Sequence, residues 1–165
     1  MAYGNQFKSS PISDITTADD DSLYPLGSTY VESADNVVAA NSTHEGDRLW
    51  VYVKGGASGI TANSVVARAA GTSPFTGDDG AATSTTAEVI GIANYAIATD
   101  KYGWVIRRGC AEADCLSVTQ GVDIVAAASG EVNDVASPDD TARFLLGTAL
   151  DTAATALGTV YLTLP

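Results

Sequence analysis

One histidine, two cysteines and eight basic side chains are all that this 165-residue sequence offers to the commonest site chemistries. His44 lies in the polar stretch Asn41-Ser42-Thr43-His44-Glu45-Gly46-Asp47, before a strand-like run. A nucleophilic triad would need one Ser and one Asp to converge on it, letters that any polar loop supplies. One histidine also excludes a histidine-rich metal site. Cys110 and Cys115 cannot make a four-thiolate zinc site, and no histidine lies near them. Their spacing leaves a disulfide across a turn or two free thiols, the reduced form being favoured in a cytosol. Twenty acidic residues against eight basic ones give a net charge of −12. Nucleic-acid affinity rests on Lys and Arg neutralising phosphates, so DNA or RNA is not expected as a partner. No apolar run approaches the roughly 20 residues of a membrane helix, and no membrane partner is expected. Residues 1–10 carry neither an apolar signal core nor a cleavage pattern. The chain is therefore expected to stay in the cytosol that makes it unless it leaves within a larger particle.

What the sequence does have is apolar material in short pieces. Hydrophobic residues make up 45 %, led by Ala and Val, enough for one packed core in a chain of this length. Arg48-Leu49-Trp50-Val51-Tyr52-Val53-Lys54 is rich in aromatic and β-branched residues and is expected to stop at Gly55-Gly56. Tyr102-Gly103-Trp104-Val105-Ile106-Arg107-Arg108, expected to stop at Gly109, and Leu157-Gly158-Thr159-Val160-Tyr161-Leu162-Thr163 have the same character. Shorter runs surround Val65-Val66-Ala67, Val89-Ile90-Gly91-Ile92, Val122-Asp123-Ile124-Val125 and Leu145-Leu146-Gly147. Short strands between Gly, Ser, Thr and Asp clusters predict an all-β barrel or sandwich.

Self-similarity refines that expectation. Trp50-Val51-Tyr52-Val53-Lys54-Gly55-Gly56-Ala57 aligns with Trp104-Val105-Ile106-Arg107-Arg108-Gly109-Cys110-Ala111. Ile60-Thr61 with Val65-Val66-Ala67 aligns with Val118-Thr119 and Ile124-Val125-Ala126, and Val89-Ile90-Gly91-Ile92-Ala93 with Leu145-Leu146-Gly147-Thr148-Ala149. The order predicts two pseudo-repeated units of about 55 residues, residues 50–103 and 104–159, with Trp50 and Trp104 in equivalent places. Such a unit cannot bury its apolar face alone, whereas two can close a barrel and remove free edges.

The remaining chemistry is thin. Asp78-Asp79-Gly80 and Pro138-Asp139-Asp140 lack the alternating oxygen spacing of a calcium loop and read as solvated turns. Gly55-Gly56-Ala57-Ser58-Gly59 leads into a strand, with no Gly-Lys-Ser/Thr after it, so it is not a phosphate loop. Trp50, Tyr52, Tyr95, Tyr102, Trp104 and Tyr161 could form a sugar platform, though packing is the simpler role for the two tryptophans. No enzyme activity, cofactor or metal is expected.

Residues 1–25 differ from the domain formed by 26–165. They are polar, acidic at Asp19-Asp20-Asp21 and without period, so they are expected to form an extended arm that orders mainly against a partner. Tyr3, Phe7, Ile12, Ile15, Leu23 and Tyr24 are more apolar anchors than a linker needs, and are the expected partner-binding residues.

Leu26-Gly27-Ser28-Thr29-Tyr30-Val31, the Trp50 and Trp104 strands, and Leu146-Gly147-Thr148-Ala149-Leu150-Asp151-Thr152-Ala153-Ala154 with its closing Gly158-Thr159-Val160-Tyr161-Leu162 strand carry a resemblance. Over residues 26–165 the chain resembles the small head decoration (cement) proteins of tailed bacteriophages, whose β-barrel or β-tulip domains sit on capsids as trimers. The resemblance implies a virion protein on the capsid surface, made in the host cytoplasm. It also implies contact with the major capsid protein, a homotrimer and a stabilising role. A head-fibre or tail-associated adhesin binding host-surface glycan is the alternative.

Overall fold

The computed structural model describes residues 15–33, 46–69, 72–80, 89–135 and 145–164. Tyr3, Phe7, Ile12, His44 and the Asp139-Asp140 pair lie outside these residues. The described chain is all-β, with ten strands in one sheet: β1 (Thr29–Glu32), β2 (Arg48–Gly55), β3 (Val65–Arg68), β4 (Thr76–Asp79), β5 (Val89–Ile92), β6 (Tyr102–Val118), β7 (Asp123–Ala126), β8 (Val132–Asp134), β9 (Leu145–Ala149) and β10 (Ala153–Thr163).

The sheet closes on itself twice. β2 pairs with β4 in parallel (Lys54 opposite Thr76), and β4 with β3, β3 with β5, β5 with β6 and β6 with β2 antiparallel. The second ring repeats this scheme. β6 pairs with β8 in parallel (Cys115 opposite Val132), and β8 with β7, β7 with β9, β9 with β10 and β10 with β6 antiparallel. β6, with 17 residues, is the last strand of one ring and the first of the other. At about 3.3 Å per residue it is long enough to serve both. β1 pairs only with the outer part of β2, so its other edge is open among the described residues.

Burial explains the composition. In β2, Val51 and Val53 pack with Val66, Ile90 and Val105 inside the first ring, while Trp50 and Tyr52 point the other way into the main cluster. A strand buried on both faces needs a continuous apolar run, and Leu49-Trp50-Val51-Tyr52-Val53 supplies one. The second ring is filled by Ile124, Val132, Leu146, Val160 and Leu162 with the small residues Ala111 and Ala113. A ring of five strands is narrow, so small side chains are required where strands approach. At Gly158 a Cβ would lie 2.8 Å from Cys115 Sγ.

Three expectations need correction. Gly109 does not end a strand: with φ +94° it bends β6 as the chain passes from one ring to the other. Asp78 and Asp79, read as a loop, end strand β4. The two-unit repeat is not confirmed in its predicted register: β6 takes in the second ring the place of β2 in the first, but the parallel pair is made at Lys54 in one and at Cys115 in the other, where the predicted alignment would have Arg108. What recurs is the pairing of the shorter strands. Val66 faces Gly91 and Ile124 faces Gly147, each followed by a bulge. Val66 likewise faces Asp79, and Ile124 faces Asp134.

Candidate functional site

Among the described residues no pocket carries an acid–base or nucleophilic constellation, and the polar residues singled out from the sequence have local duties. Asp78 Oδ1 accepts the Ser58 N–H at 2.9 Å. Asp79 accepts the Thr61 N–H at 2.7 Å, its hydroxyl at 2.6 Å and the Ser64 hydroxyl at 2.6 Å. Asp134 accepts the Thr119 N–H at 2.9 Å in the corresponding corner of the second ring. These carboxylates tie loops to strand ends, the ordinary work of an aspartate at a turn. Among the described residues no group of three or more His, Cys, Asp or Glu is placed to hold a metal, and no helix is long and apolar enough to cross a membrane. A cavity of about 170 Å³ is lined chiefly by Val51, Pro74, Phe75 and Ile90, with Arg107 as its one charged side chain.

Cys110 and Cys115 are both buried, free and on β6. Five steps along the strand put them about 16 Å apart, beyond the roughly 7 Å limit for Cα atoms of a disulfide. Burial raises both thiol pKa values, that of Cys115 to about 11, which makes them poor nucleophiles.

The clearest assembled constellation is aromatic. Tyr24, Tyr30, Tyr52, Tyr102 and Trp104 come together from the N-terminal segment, β1, β2 and β6. The Tyr24 ring meets Tyr52 edge-on at 5.2 Å and Trp104 at 5.3 Å; Tyr52 stacks on Tyr102 at 6.2 Å and tilts against Trp104 at 5.1 Å. Such pairs add about 0.5–1.5 kcal/mol each beyond area burial. The Trp50 indole N–H reaches Glu32 at 3.0 Å, and Trp50 and Trp104 are 2 % and 6 % exposed. The tryptophans are therefore packing residues rather than a sugar platform.

The N-terminal segment is seated on this cluster from Ile15 onward. Asp19 forms a two-bond bridge with the backbone of Tyr102, at 2.8 and 3.0 Å. Tyr52 Oη donates to Asp19 Oδ2 at 2.9 Å and accepts the Leu23 N–H at 3.2 Å. Lys101 pairs with Asp20 at 2.8 Å. Of the six residues expected to bind a partner, Tyr3, Phe7 and Ile12 lie outside the described residues. Ile15 is buried in the chain's own core and Tyr24 is packed against it. Leu23 points outward, 58 % exposed. From Ile15 to Tyr24 the arm is thus occupied by its own domain.

Sequence reasoning missed two things here. One is Asp19, whose partner lies 33 positions away at Tyr52. The other is an outward row of apolar side chains, Leu116, Leu157 and Tyr161, 41, 52 and 43 % exposed. The alternation in β10 carried that signal: Leu157, Thr159 and Tyr161 face away from Gly158, Val160 and Leu162, so both faces hold apolar residues.

Buried phenols and thiols give a pH prediction. Burial is the first cause of the raised pKa of Tyr52 and of Tyr95, the latter pushed up to about 12. With Cys110 and Cys115, four groups prefer their protonated form in the folded state. Their stabilisation is complete below their ordinary values of 9.0 and 10.0. It is lost as pH rises through the higher folded-state values. The melting temperature should stay level up to about pH 9 and then fall, the early part of the fall lessened in Cys115→Ala. A level melting temperature through pH 12 would contradict it.

No protein-family model matches the chain, and no curated protein matches it by sequence. Among solved structures, the chain is similar to the N base of the head fibre gp8.5 of bacteriophage phi29. The TM-score is 0.51 at 13 % identity, over 70 % of this chain and 94 % of that one. The likeness is one of fold.

Proposed function

We propose that this chain is a structural protein of a phage particle that binds the outside of the capsid as a homotrimer and braces contacts between major capsid protein subunits. The observation that carries the reading is the fold shared with a head-fibre base, covering nearly all of that base. The composition fits the role: an acidic chain that remains soluble at high copy number and does not engage DNA. A protein that binds only the assembled shell stabilises it by mass action, and three linked copies multiply weak contacts through effective concentration. The role is non-enzymatic and needs no cofactor, nucleic acid or membrane, and synthesis is in the host cytoplasm.

A second reading has its own support, since the structural neighbour belongs to a head fibre. In it the chain is the base of a fibre or adhesin that binds host glycan. Purified heads separate the two. The brace should copurify with heads at a fixed ratio to the shell protein, and heads lacking it should release DNA at a lower temperature. Unchanged head stability together with a specific glycan-array signal would replace the brace by the adhesin. Absence of the chain from purified particles would end both readings.

A further inference from the structure

Resting on that capsid reading, we infer that the outward face of β6 and β10 is the surface that seats on the shell protein, and that the partner surface is apolar with a basic rim. The cross-strand register sets the face: Leu157 lies opposite Asp114 and Thr159 opposite Glu112. Tyr161 lies opposite the buried Cys110 on β6 and Thr148 on β9, which in turn faces Asp123. Residues directly opposite share a side of the sheet, and alternation adds Leu116 two positions beyond Asp114. The result is a row of half-exposed Leu116, Leu157 and Tyr161 bordered by Glu112, Asp114 and Asp123, with one cation, Arg108 opposite Thr163, at the Tyr161 end.

Large apolar side chains gathered on one face mark contact sites more often than scattered ones do. The acidic border decides what covers them. A second copy presenting the same face would set carboxylates against carboxylates, which is unfavourable. Nor does the described chain offer a basic patch elsewhere. Arg48, Lys54 and Lys101 are paired with Glu32, Asp100 and Asp20. Arg68 is the sole basic residue of β3, and of Arg107 and Arg108, which point to opposite sides of β6, Arg108 is on the proposed face itself, opposite Thr163. The occupant is therefore a different protein, with Lys or Arg around an apolar centre.

The test uses shells prepared without this chain, titrated with the full-length protein and read by sedimentation at low and high salt. Leu157→Ser combined with Tyr161→Ser should weaken binding about tenfold or more. Glu112→Lys combined with Asp114→Lys should slow association and remove its salt dependence, which keeps the test informative if the serine variant folds poorly. Val31→Ser, on the exposed edge strand, should bind as the unaltered protein does. Equal binding by both double variants overturns the inference and leaves the capsid reading intact. A shift of the serine variant to a smaller oligomer overturns it too, by placing the face between copies. Failure of the unaltered chain to bind shells overturns the capsid reading and this inference with it.

Discussion

Replacing Gly147 by alanine is expected to cost about 3–5 kcal/mol, combining overpacking with a strained backbone. Gly147 is held between two neighbours, opposite Ile124 on β7 and Leu162 on β10. A Cβ there would run into the carbonyl oxygen of Tyr161, with Leu162 Cα 3.0 Å away, and φ is +155°. The colliding atoms are backbone, so relief requires β9 or β10 to move and the second ring to open. Domains of this kind have about 5–15 kcal/mol of total stability, so the variant should be marginal. Because β6 belongs to both rings, tryptophan fluorescence from the first ring and far-UV circular dichroism should lose structure in one transition. Gly121→Ala is the control: nothing lies within 4 Å of its Cβ and only its φ of +82° is unfavourable, a cost of about 1–2 kcal/mol. A Gly147→Ala protein as stable as the Gly121→Ala one would refute the close approach.

The same glycine shows what could be read in the sequence. Val89-Ile90-Gly91-Ile92 and Leu145-Leu146-Gly147-Thr148 look alike because each glycine lets one strand of a ring pass close over another; Gly91 meets the carbonyl of Ile106 as Gly147 meets that of Tyr161. The Trp50 and Trp104 runs look alike for a different reason. They lie side by side in one ring and are both buried on two faces, so the same demand produced similar residues at non-corresponding places. Thr76-Gly77-Asp78-Asp79 has the composition of a turn, and becomes a strand only because β2 and β3 offer it edges on either side. Gly109 could not be told from a strand terminator by its neighbours, since a bend and a stop use the same residue. The arm's apolar anchors were legible, but their seat was not. It is assembled from Tyr52, Tyr102 and Trp104, positions that no local pattern brings together. The outward row on β10 is not legible in the sequence because an apolar-rich strand carries no mark of which face the fold will cover.

Deleting residues 2–22 is expected to lower the melting temperature and to destabilise the domain by about 2–4 kcal/mol, although polarity and lack of period alone would suggest a dispensable tail. The deletion removes Ile15 from the core, worth about 1.5–3 kcal/mol if fully buried. It also removes both backbone bonds of the Asp19–Tyr102 bridge and the acceptor of the Tyr52 hydroxyl. A buried hydroxyl that loses its acceptor costs about 1–3 kcal/mol. A point variant and a shorter deletion locate the loss. Asp19→Ala should reproduce the part that runs through Tyr52, whose hydroxyl then loses its acceptor and keeps only the Leu23 N–H that it accepts. Deleting only residues 2–14 leaves Ile15 and Asp19 in place and should not disturb the aromatic seat. If the 2–22 deletion melts with the full chain, the seat contributes nothing to stability, and Ile15 returns to being a candidate for a partner's surface.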